Sequence, residues 1–144
     1  MTALAADANR KTRGNAGRQT GYLMAASQTI YKGALVMINA SGLAVPATDA
    51  AAGIVVGVAD EQVVSAASGS YWIKVRSGEA FLFAASSITQ AMVGTAMYVV
   101  DDNTVDDAAG PTNDRPVGIL EEFVSTTQGW VFIPAGGSAT GVAA

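Results

Sequence analysis

The chain has 144 residues, enough for one domain with its own hydrophobic core. Half of the residues are hydrophobic, 14% are charged, and the formal net charge is −4. Cysteine and histidine are both absent, which excludes disulfides, the usual zinc sites and catalytic sets that need a Cys or His side chain. We therefore expect a protein that is not an enzyme and that has no cofactor and no resident metal.

Residues 1–20 differ in charge from the rest of the chain. They carry a single acid, Asp7, against four basic residues, so that their net charge is +3, whereas residues 19–144 hold four basic residues and eleven acids, a net charge of −7. Gly14 and Gly17 disfavour a helix or a strand here, so we predict a flexible or extended arm over residues 1–20. The predicted partner-binding residues are the four basic ones: Arg10, Lys11, Arg13 and Arg18.

Three kinds of partner are open for this arm. An acidic protein surface would be attracted by its charge, and we favour this reading. Nucleic acid is disfavoured, because the arm lacks interleaved aromatic residues and the body behind it is acidic. The third reading is that the arm has no partner. The first residues also lack the pattern of a secretory signal, and polar residues interrupt the uncharged stretch 80–100, so we expect no membrane contact.

The central part of the chain, residues 21–134, reads as a series of strands separated by turns. Apolar runs at 35–38, 43–45 and 54–58 come first, and Ser-Gly turns separate several of the runs. In the next run Tyr71, Ile73 and Val75 alternate with Trp72, Lys74 and Arg76, which predicts one buried and one exposed face. Strands are also predicted at 80–83, 97–100, 117–120 and 130–133. A short helix is predicted over 86–92 with Ser86 or Ser87 as its cap.

The two halves of this region resemble each other. Residues 33–38 return as 94–99 and residues 56–63 return as 117–124, both with an offset of 61, and residues 71–74 return as 130–133 with an offset of 59. This predicts an all-β fold, a small barrel or sandwich built from two pseudo-repeats. The last match aligns Tyr71 with Trp130, so we expect Trp130 and Phe132 to face inward and Trp72 to lie at a margin or subunit interface. Residues 135–144 are predicted to be a flexible tail.

Two groups of acidic residues are candidates for a metal site or a catalytic site. The run from Asp101 to Asp107 is favoured as a solvated hairpin turn, with calcium binding left open, because it lacks the glycine and the closing glutamate of a calcium-binding loop. The pairs Asp60-Glu61 and Glu121-Glu122 are expected to be polar strand ends. Adjacent residues of a strand point to opposite faces, so neither pair can act as two converging carboxylates.

The glycine-led strands carry a family resemblance. Residues 93–105 and 115–122, together with 32–36 and 53–59, are similar to the head-decoration, or capsid cement, proteins of tailed bacteriophages, and the similarity extends over about residues 20–134. It implies a structural virion protein, made in the host cytoplasm, that binds the outer surface of a phage capsid and stabilises the assembled head. Its partners would be the major capsid protein and copies of itself, with a trimer favoured over a dimer. The capsid-binding residues would be the basic residues of the arm.

The alternative from another functional class is a non-catalytic β-sandwich module on a cell surface or for carbohydrate binding. A scarcity of aromatic residues expected to be exposed speaks against it. An enzyme comes third.

Overall fold

The structure, a computed structural model, describes residues 2–10, 12–13 and 18–135. The predicted all-β class is confirmed. Its strands are β1 (Thr12–Arg13), β2 (Arg18–Leu23), β3 (Thr29–Ile30), β4 (Leu35–Ile38), β5 (Ala44–Pro46), β6 (Ile54–Ala59), β7 (Val63–Val64), β8 (Trp72–Ser77), β9 (Glu79–Ala85), β10 (Ala96–Val99), β11 (Thr104–Asp106), β12 (Pro116–Ser125) and β13 (Gln128–Ile133).

The second half of the chain forms a closed five-stranded barrel, called here the second unit (residues 79–133). Its strand order is β9-β11-β10-β12-β13, and β13 pairs back onto β9. All of these pairings are antiparallel except that between β11 and β9, which is parallel. The short strand β1 joins the same edge of β9 as β11 does, further toward the start of β9. Closure leaves few unpaired backbone groups within this unit.

The first unit, residues 18–77, uses the same order of strands. Its sheet runs β2-β8-β6-β4-β5, and a parallel bridge between Met24 and Ala44 brings the end of β2 to β5. The pairing of β11 with β9 contains the corresponding bridge, between Ala85 and Val105. Only the pair β3–β7 stands apart as a separate two-stranded ribbon.

Strand registers in the two units agree with an offset of 61. Val36 pairs with Gly57 in the first unit, and Met97 pairs with Gly118 in the second. In both units the register shifts immediately after that pair. The offset of 61 also relates the β4–β5 pairs to the β10–β11 pairs. Superposition of the complete halves stays a prediction.

The third predicted correspondence is wrong. Val58 pairs with Arg76 and Ile119 pairs with Phe132, so β8 and β13 correspond with an offset of 56 rather than 59. Val75 thus corresponds to Val131, and Tyr71 does not correspond to Trp130. A shorter connection before β13 accounts for the smaller offset: Gly129 and Trp130 follow a two-residue turn after β12, whereas a long loop precedes β8.

The two units share buried side chains. Inward-facing residues of the first unit, among them Val36, Ile73 and Val75, form one cluster. The larger cluster contains the interior of the second unit and also Leu35, Met37 and Val55, which come from the opposite faces of β4 and β6. These two strands are therefore buried on both faces, which explains their continuous apolar sequences.

Burial separates the two tryptophans as predicted. Trp130 is 9% exposed and Trp72 is 59% exposed. The inward placement is wrong for Phe132 and for Trp130, which lies on the same face of β13: Phe132 is 36% exposed, while Val131 and Ile133 on the other face are fully buried. An error of three in the offset reversed the face assigned to each residue of β13.

Two local predictions also need correction. In place of a helix over 86–92, the structure has one 3-10 turn, Gln90–Met92, preceded by Thr89 and without a side-chain cap. Residues 1–20 were expected to contain no strand, but β1 and the first three residues of β2 lie there. Their strand structure depends on pairing with β9 and β8, which no local pattern indicates.

Candidate interaction surface

Residues 2–10 of the N-terminal arm lie on the body of the protein, and Arg10 fixes them there. Its Nε and Nη2 donate to the Gly33 carbonyl oxygen at 3.1 and 2.8 Å, and Nη1 donates to the Leu82 carbonyl oxygen at 3.2 Å. Nη2 also donates to Asn103 Oδ1 at 2.7 Å, and the guanidinium carbon lies 4.8 Å from the centre of the Phe83 ring. Arg10 thus joins the first unit, through Gly33, to the second.

Backbone contacts hold the residues before Arg10. The Ala8 N–H donates to the Lys32 carbonyl oxygen at 2.7 Å, and the Lys32 N–H donates to Asp7 Oδ1 at 3.1 Å. Gly33 has a φ of +87°, and a Cβ there would collide with the Ala8 carbonyl oxygen. A glycine is needed at this point because the arm passes so close to the turn. The predicted loose arm is, over residues 2–10, a segment attached to the body.

Asp102 is the acidic residue whose negative charge affects the pKa of Arg10. Its Oδ1 accepts a hydrogen bond from the Leu4 N–H at 2.8 Å. Burial raises the pKa of Asp102 above its ordinary value, which the Leu4 hydrogen bond and the positive charge of Arg10 oppose. Burial likewise lowers the pKa of Arg10, and the charge of Asp102 raises it. Arginine has so high an ordinary pKa that the guanidinium stays charged at neutral pH.

The structure describes the side chains of two of the four predicted contact residues, Arg10 and Arg18. Arg10 is half-buried and engaged in hydrogen bonds within the molecule, and its role as a capsid contact stays a prediction. Lys11 lies outside the described residues, and only the backbone of Arg13 is described, in β1. The Arg18 side chain is exposed at the start of β2. Of the four, Arg18 is the one whose side chain the structure describes as accessible to a partner.

Charge is distributed unequally between the two units. Residues 18–77 contain four basic residues and three acids, a net charge of +1, whereas residues 79–133 contain one basic residue, Arg115, and eight acids, a net charge of −7. The arm lies against the junction of the two, with β1 paired to β9 of the acidic unit. An acidic partner would therefore approach the first unit more readily than the second.

The acidic run after β10 forms backbone-capping turns. Asp101 Oδ1 accepts from the Asn103 N–H at 2.9 Å, and Asp107 Oδ1 accepts from the Ala109 N–H at 3.1 Å. Asp106 is buried, which raises its pKa. Within residues 2–10, 12–13 and 18–135, no group of three or more acidic side chains is arranged to hold a metal ion. The hairpin interpretation accounts for these contacts, but the predicted full solvation is wrong, because Asp102 and Asp106 are buried.

Two open clefts flank Arg10. The larger, about 380 Å³, is lined by residues that include Asn9, Leu82, Ala84 and Gln128. A smaller one of about 170 Å³ lies on the other side, beside Lys32, Asp60 and Arg76. Within the second cleft Arg76 is committed to an ion pair with Glu79 at 2.8 Å. The clefts follow the path of the arm over the body and bring no paired acid and base together with a nucleophile.

Large apolar side chains are also exposed away from the arm. Trp72 and Val64 are 59% and 60% exposed, and Ile54 and Val124 are each nearly half exposed. The alternation along β8 indicated the exposure of Trp72. No sequence pattern indicated the accessible edge of β2 beside it, because the boundary predicted between arm and body, at residue 20, falls in the middle of β2.

Comparison with known proteins finds no matching protein family, no matching curated protein and no matching solved structure. The resemblance to decoration proteins rests on the sequence motifs. In the described part of the chain no helix is both long and apolar enough to cross a membrane.

Proposed function

We propose that this protein is a structural virion protein that binds the outer surface of a bacteriophage head and stabilises the assembled shell. The observation that supports the proposal most strongly is the sequence of residues 93–105 and 115–122, which resembles phage decoration proteins. In the structure these residues supply β10, the first two residues of β11 and the first seven of the ten residues of β12. A rigid β body with exposed apolar side chains suits a role based on many repeated weak contacts.

The major capsid protein is the proposed partner, and its contact surface is proposed to be acidic. The first unit would face it, because that unit has a net charge of +1 and exposes Arg18 and Trp72. The second unit, with a net charge of −7, would face away from an acidic shell. Arg13, whose strand β1 lies at the junction of the two units, and Lys11 are proposed to belong to the same contact, whereas Arg10 holds residues 2–10 on the body.

Copies of the protein are proposed to meet one another around a local symmetry axis of the capsid, as a trimer rather than a dimer. Decoration of a lattice repeats each contact many times, so an individually weak contact suffices for stable coverage. The protein would be made in the host cytoplasm and would be found on the outside of the finished virion. Neither nucleic acid nor a membrane is a proposed partner.

The test is reconstitution with phage heads that lack this protein. Purified protein is added at increasing concentration, and the heads are sedimented and analysed by quantitative electrophoresis. The proposal predicts saturation at a fixed ratio of this chain to the capsid protein, and increased resistance of the decorated heads to heat. Heads that bind none of it, or that bind it without saturation, would refute the proposal.

The exposure of Trp72 favours a second candidate, a carbohydrate-binding module. Exposed tryptophan rings can stack on sugars, and Trp72 is 59% exposed. Retention of the protein on polysaccharide beads, lost in Trp72→Ala, would support this candidate. We place it second because a single such ring offers little surface for a sugar chain.

A further inference from the structure

Strand β2 has an edge that is unpaired over most of its length. On one side β2 pairs with β8 through all six of its residues. On the other side, among the described residues, the contacts are those at its end, where Met24 bridges to Ala44 and the Ala25 N–H donates to the Ala44 carbonyl oxygen. Since backbone groups of successive residues point to alternate sides, those of Gln19, Gly21 and Leu23 point away from β8.

The corresponding edge of the second unit carries a strand. There β1 pairs Thr12 with Phe81 and Arg13 with Ala80, and Arg10 donates to the carbonyl oxygen of Leu82. With the offset of 61, Phe81, Ala80 and Leu82 of β9 correspond to Thr20, Gln19 and Gly21 of β2. The pairings of β2 with β8 and of β9 with β13 agree in register throughout. Thus the first unit presents the same backbone edge on which the second unit holds a strand.

The side chains beside the β2 edge differ from those beside the β9 edge. Leu23 and Trp72 are cross-strand partners on the outer face of the first unit, and their counterparts in the second unit are Ala84 and Gln128. A half-buried leucine and an exposed tryptophan therefore replace a small and a polar residue. Gly21 lies next to Leu23 on the same face, and a Cβ on Gly21 would meet no atom within 4 Å, so the surface beside Leu23 is open.

Charge distinguishes the kind of strand that fits. The exposed bases Arg18 and Lys74 lie beside the edge and outweigh the charge of Asp60, whose Oδ2 accepts a hydrogen bond from Gln19 Nε2 at 2.6 Å. A second copy of the basic arm would place like charges together here, whereas an acidic strand would be attracted. An apolar side chain of that strand could cover Trp72 and Leu23, which are otherwise in contact with water.

We propose that the free edge of β2 is a docking site that adds an extended, acidic strand of a partner protein to the first unit, with Trp72 and Leu23 receiving an apolar side chain of that strand. Backbone hydrogen bonds would give the site affinity, and the side chains would give it selectivity. This inference rests on the proposed function in one respect: the strand would belong to the capsid protein.

The test is an NMR titration of the full-length ¹⁵N-labelled protein without heads, so that its outcome is separate from capsid binding. The probe is a twelve-residue peptide of alternating valine and glutamate. The control peptide has the same sequence with alternate backbone amides N-methylated. We expect saturable shifts of the Gln19, Gly21 and Leu23 amides and a blue shift of Trp72 fluorescence. The N-methylated peptide should produce neither.

Two variants separate edge pairing from side-chain effects. Gly21→Pro removes the N–H that points away from β8 and should weaken peptide binding at least about tenfold, while Gly21→Ala should bind within about twofold of the unchanged protein. If Gly21→Pro does not fold, the double variant Arg18→Glu/Lys74→Glu serves instead, and it should weaken binding in a salt-dependent way.

The absence of saturable shifts at the β2 edge would overturn the proposal, as would equal binding of the N-methylated peptide. Shifts of the same amides with protein concentration alone would overturn the choice of occupant in favour of a second copy. If the peptide binds at β2 but heads are not decorated, the docking site stands and the capsid assignment fails. If the heads are decorated but the peptide does not bind, the capsid assignment stands and the docking site fails.

Discussion

Gly57 and Gly118 lie at corresponding positions of the two units, each beside the carbonyl oxygen of a neighbouring strand. A Cβ on Gly57 would collide with the Arg76 carbonyl oxygen, and a Cβ on Gly118 would collide with that of Phe132. Each glycine also lies in contact range of a valine, Val75 or Val131, that occupies the same place in its unit. The close approach of neighbouring strands explains why glycine occupies both of these positions in the repeated sequence.

Alanine substitution should therefore be costly at both of these glycines. We expect Gly57→Ala and Gly118→Ala each to lower the free energy of unfolding by about 2–3 kcal/mol, because backbone must move to admit the methyl group. Gly21→Ala is the matched control, since a Cβ there meets open space, and its effect should stay within about 0.5 kcal/mol. Urea unfolding followed by circular dichroism measures all three. Equal effects at Gly21 and Gly118 would contradict the close-approach account.

Arg10 should stabilise the arm and the junction of the units. Arg10→Ala removes hydrogen bonds to two carbonyl groups and to Asn103, and should cost about 2–3 kcal/mol in the free energy of unfolding. Arg10→Lys should recover only part of this, because an ammonium group cannot reproduce the planar fork. Lys74→Ala is the control for loss of a positive charge. Amide exchange should become faster at Ala8 in Arg10→Ala, and unchanged exchange there would show that other contacts hold the arm.

Thr104 contains a buried hydroxyl group without a hydrogen-bond partner in the structure. Thr104→Val replaces it by a methyl group of similar size and should be neutral or stabilising by up to about 1 kcal/mol. Thr104→Ser keeps the hydroxyl, loses the methyl group and should be destabilising by about 1 kcal/mol. Thermal unfolding of the two variants gives the comparison. A Thr104→Val variant less stable than Thr104→Ser would reveal a hydrogen bond made by this hydroxyl.

The pKa of Asp102 is raised by burial, so the folded state binds a proton more readily than the unfolded state does. The stabilisation linked to this group is fully present below the unfolded pKa and is lost as the pH rises through the folded pKa. Asp102→Asn keeps an acceptor for the Leu4 N–H and removes the charge. The variant should therefore gain stability relative to the unchanged protein between pH 3 and pH 7, as measured by urea unfolding across that range.

Asp49 provides the opposite dependence on pH. Its carboxylate accepts hydrogen bonds from the Thr112 and Asn113 N–H groups at 2.7 and 2.8 Å, and these lower its pKa. Stability linked to Asp49 is present above its unfolded pKa and is lost as the pH falls through the folded value. Asp49→Asn should thus be destabilising at pH 7 and approach the unchanged protein in acid. The same pH trend in both variants would contradict these two assignments.

Much of the fold could be predicted from the sequence where the pattern is local. The apolar runs at β4 and β6 and the alternation along β8 indicated strands and their faces, and the repeated glycines gave the offset of 61 that the registers of Val36 and Met97 follow. The loop before β13 contains no such marker. Its length was misjudged, and the assignment of Phe132 failed with it.

The candidate site was harder to predict because its contacts are distant in sequence. Arg10 appeared as one of four basic residues, and nothing local shows that Gly33, Leu82 and Asn103 supply its acceptors. The first three residues of β2 likewise fall within residues 1–20, where Gly14 and Gly17 suggested an irregular arm, and β2 is held by pairing with β8. Edge strands and buried ion contacts depend on tertiary structure rather than on propensity.

The expected behaviour of a truncated protein changes with these contacts. Deletion of residues 1–19 would remove the first two residues of β2 as well as the arm, so loss of capsid binding by that protein would not identify the arm as its cause. Charge reversal at Lys11, Arg13 and Arg18 leaves the chain complete and is the sharper variant. Arg10 is kept, because its loss would release the arm.

The most direct measurement is co-sedimentation of this protein with phage heads that lack it, over a range of protein and salt concentrations. The account predicts saturation at a fixed ratio to the capsid protein and weaker binding as salt rises. It also predicts a large loss of affinity in the variant with Lys11, Arg13 and Arg18 changed to Glu, with Arg115→Glu, on the second unit, as the charge-reversal control. Failure to saturate, or undiminished binding by the triple variant at every salt concentration, would contradict it.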